Sequence, residues 1–203
     1  MSTDGSDTAS RVRMKPDSRR EQLLTLGTRL LSTRSLDELS IELLAEEAGI
    51  SRGLLYHYFG NKQQFHVAVV RRVVDDLYAI TAPRDIADPL EQLAVSLGAY
   101  VDFVVDNHAG YVSLVRAAAG GNEELRAIYL EARRALTDRI FAIAGREGLA
   151  AHGIVDGPAT RLLVDGWAAF TEEVVLGWVA DPHGLSRAEL LARLAGALPA
   201  IVR

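Results

Sequence analysis

Eight consecutive residues, Arg52-Gly53-Leu54-Leu55-Tyr56-His57-Tyr58-Phe59, concentrate groups suited to reading a nucleic acid. An arginine can bond bidentately to guanine, a leucine can pack on a thymine methyl, and a glycine lets a backbone approach a base edge closely. Lys62 follows, a cation able to meet a phosphate, and Ser40 and Ser51 upstream can offer a hydroxyl or an amide. The same run also fits an ordinary helical hairpin in which Tyr56, Tyr58 and Phe59 are core aromatics.

Other chemistry has less to work with. Asp165, Glu172 and Glu173 stand near apolar residues, where a raised carboxyl pKa would serve an acid-base enzyme. Carboxylates on helices are usually solvated or paired, and no nucleophile elbow or phosphate-cradling glycine loop accompanies these. The five histidines, His57, His66, His108, His152 and His183, lack close metal-ligand spacing, and with no cysteine there is neither a zinc finger nor a disulfide framework. No cofactor and no metal are expected.

Helices must position the candidate reading residues. Leu23, Leu24, Leu26, Leu30 and Leu31, with Gly27 among them, repeat at three- and four-residue spacing and predict a first helix. Ser40 can cap a short second helix whose Ile41, Leu44, Ala45 and Ala48 share a face. Gly49 can adopt the positive φ of a tight turn, and Ser51 can cap a third helix carrying Arg52 to Phe59. Small Ala45 lets the pair approach, Ile50 fills their angle, and Leu55 faces inward. The result is a helix-turn-helix over about Ser40 to Phe59, its third helix presenting its N-terminal end.

Charge supports that placement weakly. The chain carries a net charge of -5, but Met1 to Arg72 holds 11 Lys+Arg against 9 Asp+Glu, and the remainder holds 11 against 18. Arg11, Arg13, Lys15, Arg19 and Arg20 form a basic cluster that can approach phosphates or stay solvated as a tail. Residues 1–16 lack periodicity and predict a flexible arm. With no apolar stretch near the ~20 residues of a membrane span and no secretory leader, a soluble cytoplasmic protein without membrane partners is expected.

The stretch LLAEEAGISRGLLYHYFGNKQQF, Leu44 to Phe65, resembles the DNA-binding motif of the TetR family of bacterial regulators. The resemblance rests on Ala45, the Ala48-Gly49-Ile50-Ser51 turn, the Tyr56 to Phe59 aromatics and Lys62, with Arg20, Leu23, Leu24 and Leu30 resembling the family's first helix. It implies an all-α fold, with a three-helix DNA-binding head over 17–65, a linking helix over about 62–82, and a larger ligand-binding and dimerisation domain over 66–203. By position it implies base contacts from Arg52, Gly53, Leu54 and Tyr56, with His57 beside them, and phosphate contacts from Tyr58 and Lys62. Leu54 and Glu42 depart from the commoner family choices. It implies a ligand-responsive regulator, a repressor released from a palindromic operator on double-stranded DNA by a small hydrophobic effector.

Beyond Pro83 the pattern is helical throughout. Asp88-Pro89 opens a helix to about Asp106, Asn107 another through Ala118, and Gly120-Gly121-Asn122 precedes a long one ending near Gly148. Gly157-Pro158 begins the next, and Ser186 with Glu189 forms a capping box for the last. Tyr100, Phe103, Val104, Tyr111, Leu114, Trp167 and Phe170 are candidate pocket residues, with Asp102, His108 and Arg116 as polar anchors. Long apolar faces on the last two helices predict a homodimer: Leu163, Ala169 or Phe170, Val174 and Gly177 on one, Leu190, Leu194, Ala197 and Ile201 on the other. A helical protein-interaction module without DNA binding is the alternative; it would leave Arg52 and Lys62 without a task.

Overall fold

The computed structural model describes residues 16–202, which form helices joined by short connections and, among the described residues, no strand. The expected arm and the cations Arg11, Arg13 and Lys15 lie outside them. The elements are α1 (Pro16–Thr33), α2 (Ile41–Ala48), α3 (Arg52–Phe59), α4 (Lys62–Ile80), α5 (Pro89–Asp106), α6 (His108–Ala119), α7 (Glu123–Ala151), α8 (Pro158–Ala180) and α9 (Arg187–Val202). None of these is long and apolar enough to cross a membrane.

Local chemistry sets most helix ends. Side-chain oxygens of Ser40, Ser51, Asn61, Asp88 and Asn122, hydroxyl, carboxamide or carboxylate, accept from backbone amides of the first turns of α2, α3, α4, α5 and α7. Before α9 the Ser186 amide donates to Glu189 while the Glu189 amide donates to the Ser186 hydroxyl, a reciprocal capping box. The predicted uniform helix ending near Gly148 is different: α7 bends at Gly145, whose φ of 61° and ψ of 174° interrupt it before a final turn and a half to Ala151. A left-handed φ of this kind is cheap only for glycine.

The apolar stripes of α1 to α4 meet in one core around Leu23, Leu39, Leu44, Leu55, Phe65 and Val69. A Cβ on Gly27 would lie 2.7 Å from a Val69 methyl, so glycine lets α1 settle directly on α4. This core continues into Leu114 of α6 and Leu125 and Ile128 of α7. Two further cores lie among the later helices: Leu97, Val101, Val104, Val175, Leu190 and Leu194 form one, and Phe141, Leu149, Val164, Trp167 and Leu198 the other.

That second core corrects part of the expected dimer face. Leu190 and Leu194 are fully buried within the chain against α5 and α8, and the half-buried Val174 and Ala197 pack within the same chain too. An amphipathic α9 spends its main stripe on α5 and α8 of its own chain. On α8 and α9 the large apolar residues left exposed are Leu162 (72 %), Leu163, Phe170 (49 %) and Ile201, and Gly166 and Gly177 have open space beside them.

Candidate nucleic-acid interface and interior cavity

The turn between α2 and α3 is built from backbone bonds. The Gly49 amide donates to Glu46 O and the Ile50 amide to Ala45 O, with Gly49 at φ 63°, ψ 37°. This left-handed closure satisfies orphan carbonyls of α2 and lets Ser51 start α3 at once. Leu55 and Phe59 anchor α3 in the core, Phe59 meeting Phe65 edge-on at 5.1 Å with the Arg20 guanidinium over its ring.

Every candidate reading residue therefore falls on the outer side of α3 or close to it. Arg52, Gly53, Tyr56 and His57 are exposed, Leu54 and Tyr58 half-buried. The His57 and Tyr58 rings meet edge to face at 5.6 Å. Arg52 lies 3.6 Å from the carboxylate of Glu42 on α2, an exposed pair. Ser40 and Ser51 spend an oxygen lone pair on the caps of α2 and α3, and each hydroxyl retains its hydrogen for another acceptor. Lys62 opens α4, exposed, with Nζ donating to Asp37 O at 3.4 Å. Its charge adds to the positive end of the α4 dipole, an arrangement that attracts anions. Beneath it His66 is buried, its Nε2 2.6 Å from Leu39 O; burial pushes its pKa down.

The second feature is an interior cavity of about 210 Å³ walled by α4 to α9. Its lining is overwhelmingly aliphatic and aromatic: Val74 and Leu77 of α4, Leu93 and Leu97 of α5, Leu136, Ile140 and Phe141 of α7, Val164 of α8 and Leu198 of α9 among them. Of the candidate pocket residues, Tyr100, Tyr111, Leu114 and Trp167 line it. The others sit elsewhere. Phe103 turns toward Thr28 and Leu31 of α1, and Val104 is buried in the α5–α8–α9 core. Phe170 is half exposed, Arg116 faces outward, and His108 begins α6 away from the cavity. Asp102 is clamped on the surface by Arg187, two bonds of 2.8 Å each.

The polar end of the cavity centres on Glu172, overlooked as a pocket residue by sequence reasoning and weighed there only as an enzyme carboxylate. Tyr111 donates to its Oε1 at 2.7 Å, and Arg133 pairs with its Oε2 at 2.5 Å while Tyr129 donates to the same oxygen. Tyr100 stands 3.1 Å from the Tyr111 hydroxyl, which donates onward, so Tyr100 is its donor. Burial raises the pKa of all three tyrosines, keeping them protonated donors. Tyr129 and Arg133, four residues apart on α7, share a helix face, a spacing visible in sequence. Asp165 and Glu173 face solvent.

With this geometry in place, comparison with known proteins is decisive. Residues 23–69 match the bacterial regulatory proteins of the tetR family, and residues 89–198 match the tetracyclin repressor-like C-terminal domain. The chain belongs to the TetR family. It is a TetR-family transcriptional regulator with a DNA-binding helix-turn-helix. A TetR-family regulator from Streptomyces coelicolor superposes with a TM-score of 0.80 at 32 % identity, over 93 % of this chain and 82 % of that one. The regulator is also 27 % identical over 178 residues to the transcriptional activator FasR of Mycolicibacterium smegmatis, 86 % of this chain and 78 % of the relative. It is 29 % identical over 143 residues to the transcriptional repressor KstR2 of Mycobacterium tuberculosis, 68 % of this chain and 70 % of the relative.

Proposed function

We propose that this regulator is a homodimeric repressor that holds a palindromic operator through Arg52, Gly53, Leu54, Tyr56 and His57 on bases and Ser40, Ser51, Tyr58 and Lys62 on phosphates, and that a small hydrophobic effector releases it. The observation that carries the reading is the dual employment of α4. Phe65, Val69 and Val70 at its start lie in the core that seats α3, and Val74 and Leu77 further along wall the cavity. An occupant that pushes on Val74 and Leu77 displaces the rod on which the reading helix rests.

Release follows from geometry. Two heads must reach successive major grooves about 34 Å apart, so a small rotation of α4 in each subunit loses one half-site. The exposed Leu162, Leu163, Phe170 and Ile201, with the open Gly166 and Gly177, supply the apolar surface for a two-fold contact through α8 and α9. An effector moves the equilibrium only by its differential affinity for the two states. The apolar cavity wall is what would supply that difference, and Tyr100, Tyr111, Leu114 and Trp167 belong to it. Repression is the sense in which loss of DNA contact on effector binding turns a gene on; the relatives include both a named repressor and a named activator.

The test is selection of random duplexes by the purified full-length protein at near-physiological salt. Enrichment of two inverted half-sites is expected, and a reporter carrying that operator should rise when the protein is withdrawn. Recovery of no sequence by a folded dimer would sink the operator reading, and a reporter that falls would make the protein an activator.

A further inference from the structure

We propose that the cavity selects an uncharged occupant, an apolar body of on the order of ten heavy atoms carrying one neutral oxygen function, and that the Thr171 hydroxyl is the group that receives it. This inference rests on the effector reading above and adds the chemistry of what binds.

The other polar side chains of the wall each hold at least one hydrogen bond, to one another or to backbone. Gln92 accepts from the Arg84 amide and donates to Ser96. The Tyr100, Tyr111, Tyr129 and Arg133 groups all converge on Glu172. Arg139, at the Tyr78 side, donates to Tyr78 O at 2.8 Å and to Thr81 at 3.2 Å and lies over the Tyr78 ring. His152 Nδ1 meets Gly148 O, and the hydroxyls of Thr137 and Thr160 donate to backbone carbonyls.

Thr171 is different. The residue is 4 % exposed and lines the cavity one position before Glu172; its Oγ1, shielded from the cavity as it stands and meeting an occupant only on a turn of χ1, is the buried side-chain polar atom that, among the described residues, has no hydrogen-bond partner. A helical threonine ordinarily bonds a carbonyl of the preceding turn, and this one does not. A hydroxyl can donate and accept, so it suits an alcohol, ketone or ester oxygen equally.

The same accounting disfavours a charged occupant at that end. A carboxylate needs several donors to replace its water, and Arg133 is already neutralised by Glu172, beside which a second negative charge would be repelled. An ammonium would meet a carboxylate whose two oxygens already accept three bonds, with the Arg133 charge adjacent.

The experiment titrates full-length protein calorimetrically with octan-1-ol, octan-2-one, octanoate and octylammonium at neutral pH, and repeats octan-1-ol on Thr171→Val and Thr171→Ser. The two neutral probes should bind at least tenfold more tightly than the two ions. Thr171→Val should weaken octan-1-ol about fivefold, the worth of one ordinary hydrogen bond, and Thr171→Ser should restore it. Octanoate or octylammonium binding as tightly as octan-1-ol would overturn the neutral class, and an unchanged affinity in Thr171→Val would overturn the receiving group. Octan-1-ol bound through Thr171 without any loss of operator binding at saturation would sustain this inference while sinking the effector reading. No binding of any probe would overturn both.

Discussion

The backbone amide of Leu36 donates to the Ser113 hydroxyl at 2.8 Å, joining the loop after α1 to the middle of α6 across 77 residues of sequence. One turn earlier on α6 Gly110 presses against Leu31, where a Cβ would stand 2.2 Å from the Leu31 carbonyl oxygen. Tyr111 and Leu114 of the same helix line the cavity. The head therefore touches the cavity wall at a second place besides α4.

Gly110→Ala should be costly for its size. The clash is with backbone, which cannot rotate away, so overpacking of about 1–3 kcal/mol is expected. Denaturant unfolding should show a lowered midpoint, and Ser113→Ala should lose about 1 kcal/mol through the unmade bond alone. A Gly110→Ala protein as stable as the parent would mean that α6 shifts freely over α1.

Charge changes on the head should separate by role. Lys62→Ala should weaken binding to every sequence alike and reduce the dependence of log affinity on log salt by roughly 1, whereas Arg52→Ala should cost about 1–3 kcal/mol and relax preference at one base pair. Because Glu42 holds Arg52 in the free protein, Glu42→Gln should tighten operator binding at low salt. Equal losses for Arg52→Ala on all sequences, measured on a panel of single-base operator variants, would reassign that side chain to the phosphates.

His66 gives the head a pH dependence of defined sign. Burial lowers its pKa below the ordinary 6.5, the bond to Leu39 O opposes this, and nearby Lys62 adds to the lowering while Asp37 opposes it. In the window below 6.5 the unfolded chain binds the proton and the folded chain does not, so stability is full above 6.5 and falls as pH drops toward the lowered value. Thermal unfolding at pH 7.5, 6.0 and 5.0 should show this loss, and His66→Gln should be flatter. A His66→Gln protein with the parental slope would place the effect on another group.

Phe170→Glu should leave the fold intact, since the ring is half exposed, and should disrupt self-association through α8. Sedimentation should report monomers where the parent sediments as a dimer, and binding to a two-half-site operator should drop to that of a single half-site. A dimer that survives both Phe170→Glu and Leu163→Glu would move the contact to another face.

Much of this was legible because it is local. Ser40, Gly49, Ser51, Asp88 and the Ser186-Glu189 pair act on amides within a few residues, so their sequence context is nearly their whole context. Leu190 and Leu194 depart from the expected dimer face because an apolar stripe says that it will be covered and not by what; α5 and α8 of the same chain cover it. Tyr100 and Val104 lie one turn apart on α5, yet the first lines the cavity and the second fills a core, a distinction that depends on helix rotation. The break in α7 stayed hidden because Gly145 and Gly148 are equally plausible helix ends, and the convergence of Tyr111, Tyr129, Arg133 and Glu172 joins three helices that no spacing relates.

Of the eight residues of α3 only Leu55 and Phe59 are buried. The two tasks of that helix, staying seated and choosing a sequence, thus fall on different side chains. Exposed positions such as Arg52, Gly53, Tyr56 and His57 can be exchanged within about 0.5 kcal/mol of stability where no strain is introduced. Descendants of this chain can therefore acquire new target sites by drift on one surface without repairing the interior, and the cavity can diverge on a separate schedule.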